Sequence, residues 1–69
     1  MARYTNAQRA RIAADMDADA ARHDETAARL ESRGKTVAAG IQRRGAQERR
    51  EIAAAARTSS DALSDLLDY

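Results

Sequence analysis

Cysteine, proline, tryptophan and phenylalanine are all missing from this chain of 69 residues, and glycine occurs three times. Without cysteine there is no disulfide bond and no thiolate site for a metal ion. Without proline, and with so little glycine, long helices meet few interruptions. Aromatic residues make up 3% of the chain, so a nucleic-acid base would find few rings on which to stack.

Large apolar side chains are also scarce, because most of the 43% of apolar residues are alanines. A chain this short hides about 60% of its unfolded surface, and each large apolar side chain contributes roughly 1.5–3 kcal/mol when fully buried. That burial hardly covers the ordering entropy of the backbone. We therefore expect self-association or a protein partner. The large apolar residues are Tyr4, Ile12, Met16, Leu30, Val37, Ile41, Ile52, Leu63, Leu66, Leu67 and Tyr69.

Charged residues of both signs make up 33% of the chain and leave a net charge of +1. This balance is typical of helices with paired surface charges rather than of a disordered chain. No run of about 18 apolar residues predicts a transmembrane helix, and the N-terminus MARYTNAQRAR lacks an apolar signal core. We expect a cytoplasmic protein. Eleven arginines against one lysine, with abundant alanine, indicate a GC-rich bacterial or phage genome.

Strong helix formers dominate the composition, and apolar residues recur at helical spacing. We predict an all-α fold: an antiparallel helical hairpin of two long helices with a turn near Gly34, a possible short C-terminal third helix, and association into a bundle. One domain, 1–69, would hold helices at about 6–33, 36–57 and 60–67. Two alternatives stay open, since the apolar stripe keeps its phase through Gly34 and again toward Leu67: one unbroken helix, or a second helix that continues to Leu67.

The helix ends carry capping signals. Thr5 and Gln8 fit a capping box at the start of helix 1. Gly34 suits the left-handed position that follows a helix, and Thr36 is placed to cap helix 2. Ser59 or Ser60 is placed to cap the third helix.

The apolar positions predict which faces of the two long helices meet. Folding at the turn brings residues whose numbers add to about 68 opposite each other, so Leu30 should meet Val37 and His23 should meet Gly45. Large side chains would then face small ones at several levels. The predicted inward positions are Ile12, Met16, Ala20, His23, Ala27 and Leu30 on helix 1, and Val37, Ile41, Gly45, Glu48, Ile52 and Ala55 or Ala56 on helix 2; the remaining predicted pairs are Ala27 with Ile41, Met16 with Ile52, and Ile12 with Ala56.

The C-terminal segment is the first candidate contact surface. Its leucines lie on one side of an amphipathic helix and its aspartates on the other, an arrangement that suits a partner's groove. Alternatively, these residues close the open end of the hairpin against Tyr4 and Ala7, or meet a second copy. The predicted partner-binding residues are Leu63, Leu66, Leu67 and Tyr69.

An arginine-rich stretch is the second candidate surface, for nucleic acid or an acidic partner. A row of arginines can contact the phosphates of a nucleic-acid backbone. The alternative is that the acidic run Asp15 to Glu25 neutralises this face, with Glu25 near Arg44 and Asp19 near Arg49 or Arg50. The candidate residues are Arg43, Arg44, Arg49, Arg50 and Arg57.

Catalytic and cofactor signals are weak. Asp15, Asp19 and His23 are spaced four apart, but a single histidine without a Glu-x-x-His pair is a poor metal signature. No nucleophile arrangement or phosphate-binding loop is present. We therefore expect no enzyme, no cofactor, no metal site, no membrane contact and no small-molecule substrate. The expected function is that of a small protein-interaction protein, an adaptor, inhibitor or accessory subunit of bacterial or phage origin; the alternative is a nucleic-acid-binding regulator.

Overall fold

The computed structural model describes residues 3–68, which form three α-helices: α1 (Asn6–Ser32), α2 (Thr36–Thr58) and α3 (Ser60–Leu67). Helices α1 and α2 pack against each other along their length as an antiparallel hairpin, and α3 packs on α2. The extents are 49 × 22 × 13 Å. The predicted hairpin with a short third helix is confirmed, and both unbroken-helix alternatives are wrong.

The start of α1 follows the predicted capping box. The backbone N–H of Gln8 donates to the Thr5 hydroxyl at 3.0 Å, and the Thr5 N–H donates to Gln8 Oε1 at 2.8 Å. Two of the N–H groups that lack a helical partner are thereby satisfied.

The turn between α1 and α2 is a Schellman motif. The N–H of Lys35 donates to the Leu30 carbonyl and that of Gly34 to the Glu31 carbonyl, both at 2.9 Å. Gly34 takes a φ of 76°, as predicted for its position after the helix. The predicted Thr36 cap is wrong: Lys35 occupies the N-cap without a side-chain hydrogen bond, because the turn uses a single residue after Gly34.

The core consists almost entirely of alanine. Its α1 members are seven residues apart, as are three of its α2 members, so one small residue per two turns faces the partner helix. Such small side chains let two helix backbones approach closely. The buried apolar residues are Ala13, Ala20 and Ala27 of α1, Ala39, Ala46, Ala53 and Ala56 of α2, and Leu63 of α3.

The orientation of α2 differs from the prediction. Val37 is 80% exposed and Ile41 is 60% exposed, so the predicted pairs of Leu30 with Val37 and of Ala27 with Ile41 are wrong. Glu48 is also exposed. Compared with the predicted face, α2 is turned about its axis by up to roughly one residue, or ~100°, although Gly45 and Ala56 of that face still lie inward. The alanines at heptad spacing face α1 instead, because their close packing leaves no room there for larger side chains.

Other predicted contacts are present. A Cβ atom placed on Gly45 would lie 3.5 Å from the His23 ring, which confirms that these two residues face each other. The predicted face of α1 is confirmed at Ala20 and Ala27, which are buried. At the open end of the hairpin, the partly buried Tyr4, Ile12, Met16 and Ile52 pack on the cluster of Ala13, Ala53, Ala56 and Leu63.

Candidate functional site

The side chain of Leu63 lies in the core and has no exposed surface. It packs in the same cluster as Tyr4, at the open end of the hairpin. A serine next to it, Ser60, is buried and accepts a hydrogen bond of 2.8 Å from the Tyr4 N–H. Leu63 therefore closes the hairpin and is not available to a partner, which corrects its predicted role in partner binding.

The other two leucines of α3 are accessible. Leu66 is 37% exposed and Leu67 is 44% exposed. They follow Leu63 by three and four residues, so they lie on either shoulder of the buried side of α3. Tyr69 lies outside the described residues. Leu66 and Leu67 remain predicted contact residues.

Helix α3 has capped ends and an acidic outer side. The Ser59 hydroxyl accepts from the Ala62 N–H at 2.9 Å, and Asp61 lies in the first turn, where a negative charge favours a helix. The Asp68 carboxylate lies 3.4 Å from Arg3 Nε. Asp61 and Asp65 are exposed and form no ion pair within residues 3–68. The exposed Leu66 and Leu67 of α3 thus have negatively charged side chains near them.

Three of the candidate arginines form a ladder of ion pairs with α1. Both sides of the ladder advance by seven residues, which is two helical turns, so each rung repeats the geometry of the one before it. The rungs are Arg57 with Asp17, Arg50 with Asp24, and Arg43 with Glu31. All six side chains are partly exposed, so each pair stabilises the fold by between a few tenths of a kcal/mol and about 1 kcal/mol.

Arg49 lies between two carboxylates. Its Nε is 3.5 Å from Asp19 and its Nη1 is 3.7 Å from Glu48. The predicted meeting of Asp19 with Arg49 is confirmed. The predicted pair of Glu25 with Arg44 does not form within residues 3–68, and Arg44 has no ion-pair partner among them. Four of the five candidate arginines are therefore paired with acids. The acids Asp17, Asp19 and Asp24 belong to the run that was predicted to neutralise this face, whereas Glu31 and Glu48 lie outside it.

Asp19 also binds a neighbour on its own helix. Arg22 donates a hydrogen bond of 2.6 Å to Asp19 Oδ1. This hydrogen bond, with a further contribution from Arg49, holds the pKa of Asp19 below its ordinary value of 3.8.

His23 lies at the middle of the helix interface. Its Nδ1 is 2.6 Å from Gln42 Oε1. Because an amide oxygen can only accept, Nδ1 is the donor in this arrangement. Gln42 was not among the predicted inward residues, and it reaches the interface because of the rotation of α2. The adjoining hollow is lined by Asp19, Arg22, His23, Thr26 and Gln42.

Within residues 3–68, no three His, Asp or Glu side chains lie close enough together to hold a metal ion. Asp15, Asp19 and His23 therefore do not form such a group. The same part of the chain has no helix with the length and apolar character needed to cross a bilayer. Comparison with family models, curated proteins and solved structures finds no match for this chain.

Proposed function

We propose that this chain is a small non-enzymatic protein that binds another protein through its helical faces. The observation that supports this proposal is the distribution of large apolar side chains. Among the large apolar side chains of residues 3–68, Leu63 alone is fully buried, whereas Val37, Ile41, Leu66 and Leu67 are exposed. Apolar side chains that are exposed side by side, with charged residues around them, are typical of interaction surfaces.

The α3 leucines are the proposed contact for a different protein. Leu66 and Leu67 lie on a short amphipathic helix with Asp61 and Asp65 on its outer side. A matching partner would offer an apolar groove with a basic rim, and the aspartates would discourage partners with an acidic rim. We include Tyr69 in the proposed contact, because it lies two residues after the end of α3 in the sequence.

The setting of this activity is also part of the proposal. An adaptor, an inhibitor or an accessory subunit would each need a surface and no catalytic group. The arginine and alanine bias supports a bacterial or phage origin, and we propose that the protein acts in the cytoplasm. No cofactor or small-molecule substrate is proposed.

A pull-down from the native host tests this proposal. Leu66→Asp adds a charge within the proposed contact, and Ala28→Asp adds the same charge on the exposed side of α1 as a matched control. Circular dichroism would verify that both variants are folded. Proteins captured by the wild type should be lost with Leu66→Asp and kept with Ala28→Asp. Equal capture by all three proteins would rule out the α3 contact.

A nucleic-acid-binding regulator is the second candidate. Two observations favour it: Arg44 has no ion-pair partner among residues 3–68, and Arg43 and Arg57 are half exposed. Against it, the ladder acids would compete with phosphate for the arginines. DNA or RNA retention that is abolished by Arg43→Glu with Arg50→Glu, and unaffected by Leu66→Asp, would favour this candidate over protein binding.

A further inference from the structure

Helix α2 carries a second row of residues at heptad spacing, on the side away from the alanine core. The steps along this row are four, three, four, three and four, which keep its members on one helix face. We call it the outer row. It consists of Val37, Ile41, Arg44, Glu48 and Glu51, which are exposed, and Ala55, which is partly buried.

We propose that the outer row is a self-association surface, on which α2 of a second copy packs antiparallel about a two-fold axis midway between Arg44 and Glu48. Residues whose numbers add to 92 then come opposite each other. Val37 meets Ala55 of the partner subunit, and Arg44 meets Glu48 of the partner subunit. Because the interface is two-fold symmetric, each of these contacts forms twice.

The charges in the outer row select this direction. Arg44 has no ion pair within residues 3–68, and Glu48 shares Arg49, at 3.7 Å, with Asp19. In an antiparallel pair each Arg44 lies between Glu48 and Glu51 of the partner subunit. A parallel pair would place Arg44 beside Arg44, with like charges opposed.

Side-chain sizes fit the same register. Val37 and Ile41, at 80% and 60% exposure, lie at one end of the row, and the small Ala55 lies at the other. The antiparallel arrangement therefore sets Val37 against the small Ala55 of the partner subunit at both ends of the interface, and it brings Ile41 opposite Glu51 of the partner subunit.

Gly40 fits the same arrangement. It lies beside the row between Val37 and Arg44, and nothing stands within 4 Å of a Cβ atom placed there. The packing of the chain on itself thus gives no reason for a helix-weakening glycine at this position. A second backbone approaching closely, with Ala54 of the partner subunit nearby, supplies one.

This inference rests on the proposed function in so far as both assign the contacts of the protein to helical faces. It concerns a different face, with a second copy as the occupant, so self-association and the α3 contact can be disproved separately. Loss of the dimer would leave capture through Leu66 intact. A dimer that captures no other protein would support the outer-row interface and argue against the α3 contact.

Sedimentation equilibrium with charge-reversed variants tests the proposed surface. The wild type should sediment at twice the chain mass of 7.5 kDa at about 100 µM, a concentration where micromolar dimers are populated. Arg44→Glu and Glu48→Arg should each raise the dissociation constant about tenfold or more, and the double variant should recover most of the loss. Arg11→Glu, which makes the same charge change as Arg44→Glu on the exposed surface of α1, should have little effect. A monomeric wild type, or a double variant as weak as the two single ones, would overturn the proposal.

Disulfide trapping tests the register, since the chain has no cysteine of its own. Val37→Cys and Ala55→Cys proteins, mixed and oxidised, should give mainly the mixed disulfide, identified by its mass. Each variant alone should form little disulfide-linked dimer under the same conditions. Homodimers of Val37→Cys that equal or exceed the mixed species would contradict the antiparallel arrangement.

Discussion

The Arg57 guanidinium on α2 donates a hydrogen bond of 2.5 Å to the Asp17 carboxylate on α1, across 40 residues of sequence. The same relationship recurs two turns further along each helix, between Arg50 and Asp24. Such repeats contribute little stability singly but favour one register and one rotation of α2 over others. The rotation places alanines inside and larger aliphatic residues outside.

The alanine core predicts a strong asymmetry between two matched substitutions. Ala46 is fully buried in the interface between α1 and α2. Ala46→Leu should lower the free energy of unfolding by about 1–3 kcal/mol, because a larger side chain forces the helices apart. Ala28→Leu, on the exposed side of α1, should change it by less than about 0.5 kcal/mol. Urea unfolding of both variants measures the difference, and equal effects would argue against a closely packed alanine interface.

Substitution by alanine should have opposite effects on stability at Gly34 in the turn and at Gly40 in α2. Gly34 has a φ of 76°, which strains any residue with a Cβ atom. Gly34→Ala should therefore destabilise the hairpin by about 1 kcal/mol. Gly40→Ala should stabilise the isolated chain by up to about 1 kcal/mol, since the added methyl group meets open space. Thermal unfolding at low protein concentration, where association is weak, measures both; a stabilising Gly34→Ala would contradict the described turn.

The ionisation of Asp19 should depend on Arg22. Because the folded-state pKa is lowered, the interaction stabilises the fold above the unfolded pKa and is lost as the pH falls through the folded pKa. Arg22→Ala should move the pKa of Asp19 up toward its ordinary value of 3.8. A carboxyl-detected NMR titration of the wild type and this variant would show the shift. An unchanged midpoint would mean that the hydrogen bond does not form in solution.

Much of the fold was predictable because local rules decided it. The capping box at Thr5, the turn at Gly34 and the third helix starting after Ser59 all follow from residue types at fixed offsets. The face of α1 was also predictable, since Ala20 and Ala27 share a stripe with Met16.

The rotation of α2 was missed because the apolar pattern gives most weight to large side chains. Val37 and Ile41 dominate such a pattern, yet the interface is formed by alanines. The signal that could have revealed the rotation is the spacing of Ala39, Ala46 and Ala53, seven residues apart, in step with the arginines of the ladder. The candidate contacts depend on the same rotation, because it decides which large side chains remain exposed.

The dependence of the melting temperature on protein concentration shows whether a second copy covers the exposed apolar side chains of α2. For a chain whose folded form associates, dilution shifts the equilibrium toward unfolding. We expect the melting temperature, followed by circular dichroism, to rise by several degrees between about 2 µM and about 200 µM. A cooperative transition at one temperature throughout that range, with a monomer at its upper end, would contradict it.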